Sequence, residues 1–191
     1  MKYISVFCGS SSGNDNVFPE QVSLLGQTIA RRGYGIVYGG AHVGLMGAVA
    51  DGALKQGGQV IGVIPQFLKK KELEHKKLTK IHVVETMHER KALMNELSDG
   101  VIALPGGYGT MEELFEMLTW AQLALHKKPI GLLNIDGFYD SLIALSDTMI
   151  KKGFLKDEYR ELLLVDNDIE RLLDKMEAYK PPLNDKWFVT A

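Results

Sequence analysis

The chain has 191 residues and is 46% hydrophobic, which predicts one domain with a large buried core. Lysine and arginine number 22 against 24 for aspartate and glutamate, and the formal charge of −2 argues against nucleic acid or an acidic membrane as the main partner. No apolar run is long enough to cross a bilayer, the first residues do not resemble a signal peptide, and the single cysteine, Cys8, excludes an intramolecular disulfide, so we expect a cytoplasmic protein.

Short apolar runs that end at glycines alternate along the chain with longer segments of helical period. This alternation is typical of βαβ units around a parallel sheet, and the runs are apolar throughout, as strands covered on both faces should be. The pattern predicts strands at residues 3–8, 35–38, 59–64, 81–84, 101–104 and 130–134, a weaker strand at 162–165, and helices at 19–32, 45–56, 87–97, 111–125, 138–152 and 169–179. We therefore predict an α/β fold with one domain at residues 1–180 and a tail at 181–191.

Four glycine-bearing turns follow the predicted strands, at residues 8–13, 38–40, 43–47 and 105–110. They should meet at one edge of the sheet, where open α/β sheets bind ligands. Glycine lets backbone N–H groups approach an anion, and the following helix start adds positive potential. A single turn has an equally good steric explanation, but several converging turns favour a phosphate group. The candidate contacts are Gly9, Ser10, Gly39, Gly40, Gly44, Gly106, Gly107 and Gly109.

Other ligand motifs are missing from the sequence. It contains no G-x-x-x-x-G-K-[ST], and no G-x-G-x-x-G follows the first predicted strand. The second strand ends in Tyr38-Gly39-Gly40, where a dinucleotide-binding fold needs an acidic residue for the ribose. The five histidines have no metal-ligand spacing. A P-loop nucleotidase, an NAD enzyme and a metal site are therefore disfavoured.

Two predicted helix starts, at residues 86–89 and 110–113, match the S/T-x-x-E capping box. Capping alone could explain a glutamate at position 113. The glycine-rich turn before Glu113 and the nearby carboxylates of Glu112 and Glu116 instead favour a functional role.

Arg90 and Lys91 lie close to the start of the predicted helix 87–97. Cations at this end oppose the helix dipole, at a cost of about 0.3–1 kcal/mol each. A violation of this kind favours a binding site, the alternative being long side chains that bend into water.

Residues 87–91 and 105–113 match the paired signatures M-H-x-R-K and P-G-G-x-G-T-x-x-E and resemble the Lonely Guy family. These proteins are cytokinin riboside 5′-monophosphate phosphoribohydrolases, long mislabelled lysine decarboxylases, and the similarity extends over nearly the whole chain. The resemblance implies a Rossmann-like, doubly wound fold and a homodimer. It implies an enzyme without cofactor that cleaves the N-glycosidic bond of an adenine or N6-substituted adenine ribonucleoside 5′-monophosphate, releasing the base and ribose 5-phosphate.

The resemblance also assigns residues. It implies that Arg90 and Glu113 are the catalytic pair. The residues implied to contact the nucleotide are Glu72, Lys91, Gly107, Tyr108, Gly109, Thr110, Met111, Glu112 and Thr119. In the mechanism that we expect, Glu113 serves the ribose and stabilises positive charge at C1′, while Arg90 either holds the phosphate or polarises the base.

Two other functions are compatible with parts of the sequence. A non-catalytic nucleotide sensor or carrier is the main alternative, because related glycine-rich folds can bind without turnover. A pyridoxal phosphate decarboxylase needs a Schiff-base lysine, for which Lys91, Lys127 and Lys128 qualify by residue type only.

The predicted helix at residues 111–125 is apolar around most of its circumference. A surface helix normally keeps one polar face, so this pattern favours a homodimer with the helix at the interface. A central core helix is the alternative.

Overall fold

The computed structural model describes residues 1–69 and 74–182. Its strands are β1 (Tyr3–Phe7), β2 (Gly35–Tyr38), β3 (Val60–Pro65), β4 (Lys80–Val84), β5 (Gly100–Ala103), β6 (Ile130–Leu133) and β7 (Leu163–Asp166). They form a seven-stranded sheet of order β4-β3-β2-β1-β5-β6-β7, and each pair of neighbours is parallel. Every predicted strand is confirmed, with ends that differ by at most one residue.

The helices are α1 (Val17–Arg31), α2 (Gly44–Lys55), α3 (Gln66–Lys69), α4 (Met87–Leu97), α5 (Tyr108–Gln122), α6 (Asp140–Lys151) and α7 (Ile169–Ala178). All six predicted helices are confirmed. The short α3 was missed, as were two 3₁₀ segments, Ile135–Gly137 and Asp157–Leu162, because one or two turns carry no detectable periodicity. Gly33 and Gly57 follow α1 and α2 with φ of +80° and +71°, as expected for helix stops.

Helices cover both faces of the sheet. One core packs α1, α2 and α7 against strand residues that include Ile36, and a second core packs α4 and α5 against residues that include Val37. Successive side chains of a strand point to opposite faces, so both must be apolar when both faces are covered. The predicted Rossmann-like, doubly wound single domain is confirmed.

The start of α5 differs from the prediction. The helix begins at Tyr108, with Gly107 in extended conformation as its N-cap, and the Gly107 carbonyl accepts a hydrogen bond from Met111 N at 3.1 Å. The predicted capping box at residues 110–113 is therefore wrong, because Thr110 already lies inside the first turn. The box at 86–89 forms in part: Thr86 Oγ1 accepts from Glu89 N at 3.1 Å, while the Glu89 carboxylate accepts from Glu85 N instead of Thr86 N.

The strand order reverses between β1 and β5, which are neighbours in the sheet but far apart in sequence. In doubly wound folds a crevice opens at this point, beyond the carboxyl ends of the strands. The glycine-bearing turns after β1 and β5 border the crevice directly, and the turn after β2 lies one strand away.

Some predictions fall outside the described ranges. Glu72 is one of them, and so is the predicted tail from residue 183 onward. Within residues 1–69 and 74–182, no helix has the length and apolarity needed to cross a bilayer.

Candidate active site

A cavity of about 410 Å³ opens at the reversal of strand order. Its volume falls in the range of small-molecule sites. Its lining comprises Cys8, Gly9, Ser10, Gly39, Ala41, Val43, Met46, Ile64, Leu68, Met87, Arg90, Gly107, Tyr108, Gly109, Thr110, Glu112 and Glu113. The structure therefore brings together both proposed catalytic residues and eight of the proposed substrate contacts.

The first turn of α5 forms one side of the cavity, with residues 107–110 in its lining. The segment before the turn is fixed to the end of β1, because Gly9 N donates a hydrogen bond to the Pro105 carbonyl at 3.0 Å. Gly106 packs directly against Thr110, since a Cβ at this position would clash with Thr110 Oγ1. The positive end of the helix dipole therefore lies in a fixed position at the cavity. This is the most suitable place in the cavity for an anion.

Three of the proposed glycine contacts have structural roles in this arrangement. Gly44, with φ of +57°, lies so close to Ser10 that any side chain would clash with the Ser10 backbone. The Gly40 carbonyl accepts a hydrogen bond from His75 N at 2.9 Å, and Gly106 allows the close contact with Thr110. Together with Met111, these three glycines are not among the described residues that line the cavity.

Arg90 reaches the cavity from α4 across Gly39. A Cβ on Gly39 would clash with Nη2 of Arg90, so the absence of a side chain at position 39 makes room for the guanidinium. Nη2 lies 3.9 Å from Oε1 of Glu113, too far for a hydrogen bond, and the buried Nε has no hydrogen-bond partner among the described residues. Arg90 therefore presents unused donors beside the cavity.

Glu113 is 8% exposed, an unusual degree of burial for a carboxylate. Burial raises its pKa, and the positive charge of Arg90 opposes this increase in part. Cys8 is also buried here, and burial together with the Glu113 charge raises the pKa of its thiol, which keeps it protonated. Cys8 is therefore a buried, protonated thiol that also borders the cavity.

Two proposed contacts lie elsewhere. Lys91 is not among the described lining residues, and its Nζ lies between the carboxylates of Glu112 and Glu116. Thr119 is nine positions beyond Thr110 on α5, which is about 13 Å along a helix. It lines a separate groove, and its hydroxyl donates to the Phe115 carbonyl at 2.7 Å.

Sequence reasoning missed the apolar part of the lining. This part comprises Ala41, Val43, Met46, Ile64, Leu68 and Met87. Several of these residues adjoin glycine turns at strand ends, and this position could have identified them as lining residues from the sequence. Leu68 belongs to the short α3, which no periodicity revealed.

The family model described as "Possible lysine decarboxylase" matches residues 46–176. The chain is 50% identical over 176 residues to a "Probable cytokinin riboside 5′-monophosphate phosphoribohydrolase" of Oryza sativa subsp. japonica, covering 92% of this chain and 79% of the relative. It is 45% identical over 184 residues to a cytokinin riboside 5′-monophosphate phosphoribohydrolase of Arabidopsis thaliana, covering 96% and 80%.

Solved structures share the fold at lower identity. The molybdenum cofactor binding protein of the phototrophic bacterium Rippkaea orientalis is 24% identical with a TM-score of 0.71, covering 93% of this chain and 96% of that one. The molybdenum cofactor carrier protein of Chlamydomonas reinhardtii is 21% identical with a TM-score of 0.68, covering 93% and 99%. At these identities the likeness supports the fold alone. The family model and the relatives at 45–50% identity show that the chain belongs to the Lonely Guy family, which its two signatures resemble.

Proposed function

We propose that this chain hydrolyses the N-glycosidic bond of a purine ribonucleoside 5′-monophosphate and releases the free base and ribose 5-phosphate. The observation that carries the proposal is the pairing of Arg90 and the buried Glu113 at 3.9 Å, beside the start of α5. The relatives at 45–50% identity are named as phosphoribohydrolases of this kind. A non-catalytic carrier is disfavoured, because the carriers share only the fold with this chain.

The first turn of α5 would anchor the 5′-phosphate. Its backbone N–H groups and the helix dipole favour a dianion, and Gly107 and Gly109 leave open space for it, since a Cβ on either would meet nothing within 4 Å. Nucleosides without the phosphate should therefore be poor substrates.

Glu113 would act at the ribose. In the reaction, water adds to C1′ while the bond from C1′ to the base nitrogen breaks and its electron pair leaves with the base. Positive charge develops on the ribose in the transition state, and a nearby carboxylate stabilises it. A raised pKa also makes Glu113 a better acceptor for a proton of the attacking water.

Two roles fit the unused donors of Arg90, either holding the phosphate or polarising the departing base. An Arg90→Ala variant separates them. Loss of the phosphate contact weakens inhibition by ribose 5-phosphate, whereas loss of base polarisation lowers turnover and leaves that inhibition unchanged.

The apolar lining favours a base with an apolar N6 substituent. Val43, Met46, Ile64, Leu68 and Met87 would exclude water from such a group, whereas unsubstituted adenine gains less from them. A panel of N6-substituted adenosine monophosphates would rank the bases.

The proposed activity can be tested by incubating the protein with adenosine 5′-monophosphate, an N6-isopentenyl analogue and adenosine, followed by chromatography for the free base. We expect base from both monophosphates and little from the nucleoside. Binding of the monophosphates without release of base would support the carrier instead.

We also propose a homodimer. α5 is not a central core helix, because Phe115 on this helix is 37% exposed. The helix borders a groove of about 550 Å³, which is also lined by α6 and the 3₁₀ segment at 157–162. Phe154 lines the same groove and is 88% exposed, so the surface carries both a projecting ring and an apolar recess. Two chains related by a two-fold axis could each bury this ring in the recess of the other.

The cytoplasmic location stays a prediction.

A further inference from the structure

Arg90 and Glu113 belong to different helices, so their separation depends on how α4 is held against α5. Each has a charged neighbour in sequence. Lys91 follows Arg90 on α4, while Glu112 precedes Glu113 on α5 and Glu116 lies one turn further along the same face. The two helices therefore face each other through two sets of opposite charges.

Lys91 contacts both carboxylates of the second set. Its Nζ lies 2.5 Å from Oε1 of Glu112 and 3.0 Å from Oε1 of Glu116. Burial alone would lower the pKa of Lys91, but the hydrogen bonds to the two carboxylates raise it, so the ammonium stays charged. The ammonium is thus part of a fixed contact between the helices.

The Lys91–Glu116 pair is shielded from solvent. The side chain of Lys91 is 9% exposed and that of Glu116 is 24% exposed, whereas Glu112 is 56% exposed. Exposed ion pairs contribute little, but separating a shielded pair leaves charges without compensation. Lys91 is also not among the described residues that line the cavity, so its ammonium serves the contact between the helices.

We propose that, in the reaction proposed above, Lys91 is a positioning residue that fixes α4 against α5 through Glu112 and Glu116. It thereby sets the separation between the guanidinium of Arg90 and the carboxylate of Glu113. This role replaces the nucleotide contact expected for Lys91 from the family resemblance.

The test compares Lys91→Met, Glu116→Gln and the double variant. For each, kcat is measured with adenosine 5′-monophosphate, and the Kd of ribose 5-phosphate is measured by calorimetry. Lys55→Met, an exposed lysine at the end of α2, is the matched control.

The positioning role predicts that Lys91→Met lowers kcat by about 10- to 100-fold, the scale of a small misplacement of reacting groups. Glu116→Gln should change kcat and Kd in the same direction as Lys91→Met. The double variant should be no worse than Lys91→Met, because both changes break one interaction. Lys55→Met should match the wild type.

If Lys91 instead contacts the phosphate, the two single variants should not change the Kd of ribose 5-phosphate in the same direction. Lys91→Met would then weaken ribose 5-phosphate binding. Glu116→Gln would remove one of the two carboxylates that compete for the ammonium and leave the binding equal or tighter, and this result would overturn the proposal. If Lys91→Met does not fold, the Glu116→Gln variant alone distinguishes the two roles, because weaker binding of ribose 5-phosphate supports the positioning role and equal or tighter binding contradicts it. If the wild type binds ribose 5-phosphate but releases no base, the proposed function fails, while the two Kd changes still test the role of Lys91.

Discussion

Arg90 and Glu113 form an ion pair without a hydrogen bond between them. Their 3.9 Å separation leaves guanidinium donors and carboxylate oxygens available for a substrate. The low exposure of both side chains, 11% and 10%, means that their charges act in a weakly screened environment. This is the arrangement in which charge stabilisation in a transition state is strongest.

The raised pKa of Glu113 predicts a pH dependence of turnover. The residue acts in its ionised form, so activity is lost as the pH falls through its pKa. Because burial raises that pKa, the acid limb of a plot of kcat against pH should lie above the range in which an ordinary glutamate titrates. The Glu113→Gln variant should lack this limb. An acid limb in the ordinary glutamate range would contradict the assignment.

Gly39 provides a test of the position of Arg90. Its φ is outside the left-handed region, so alanine at this site costs no backbone strain, and its Cβ would clash with Nη2 of Arg90. Gly39→Ala should therefore lower kcat/KM by about 10- to 100-fold. The melting temperature should change little, and normal activity in a folded variant would refute the proposed contact.

At the scale of elements, α4 carries Arg90 and depends on its N-cap. Thr86→Ala removes the hydrogen bond from Glu89 N and should cost about 0.5–2 kcal/mol of unfolding free energy. Turnover should fall as well, because the first turn of α4 orients Arg90.

The matched control for Thr86→Ala is at the start of α7. Asp168 caps this helix in the same way, accepting from Arg171 N at 2.9 Å, and is not among the described residues that line the cavity. Asp168→Ala should lose comparable stability in denaturant unfolding and retain turnover. Equal turnover in Thr86→Ala and Asp168→Ala would show that the N-cap of α4 does not contribute to catalysis.

The strands and most helices could be predicted from the sequence, whereas the start of α5 could not. Strands buried on both faces leave continuous apolar runs, and these set their bounds to within one residue. At α5 two capping signals compete, Gly107 and Thr110. The helix begins at the earlier one, because Gly107 adopts an extended N-cap conformation and accepts the first helical hydrogen bond.

At the scale of the whole molecule, the proposed dimer predicts that Phe154→Ser lowers the mass in solution from two chains to one. The ring is 88% exposed in a single chain and would be buried against a partner. Light scattering at micromolar concentration measures the change. Leu24→Ser, at a 40% exposed apolar residue of α1, is the control and should leave the mass unchanged. A wild type with the mass of one chain would contradict the dimer.

The site was predictable only in part, because its contacts join distant parts of the chain. The glycine turns, Arg90 and Glu113 could be located from motifs. The partners of Lys91 could not, since Glu116 is 25 positions away and the contact arises only when α4 packs beside α5. The same reason explains the missed apolar lining, which collects side chains from three separate stretches of the chain, residues 41–46, residues 64–68 and Met87.

The most direct test of the central claim is turnover of the Glu113→Gln variant with adenosine 5′-monophosphate, together with its melting temperature. Because the folded state raises the pKa of Glu113, the ionised carboxylate destabilises the fold above that pKa, so glutamine should leave the melting temperature equal or higher. Turnover should nevertheless fall by about 100-fold or more, while Glu96→Gln, an exposed site on α4, should match the wild type. A well-folded Glu113→Gln protein with full activity would contradict the proposed mechanism.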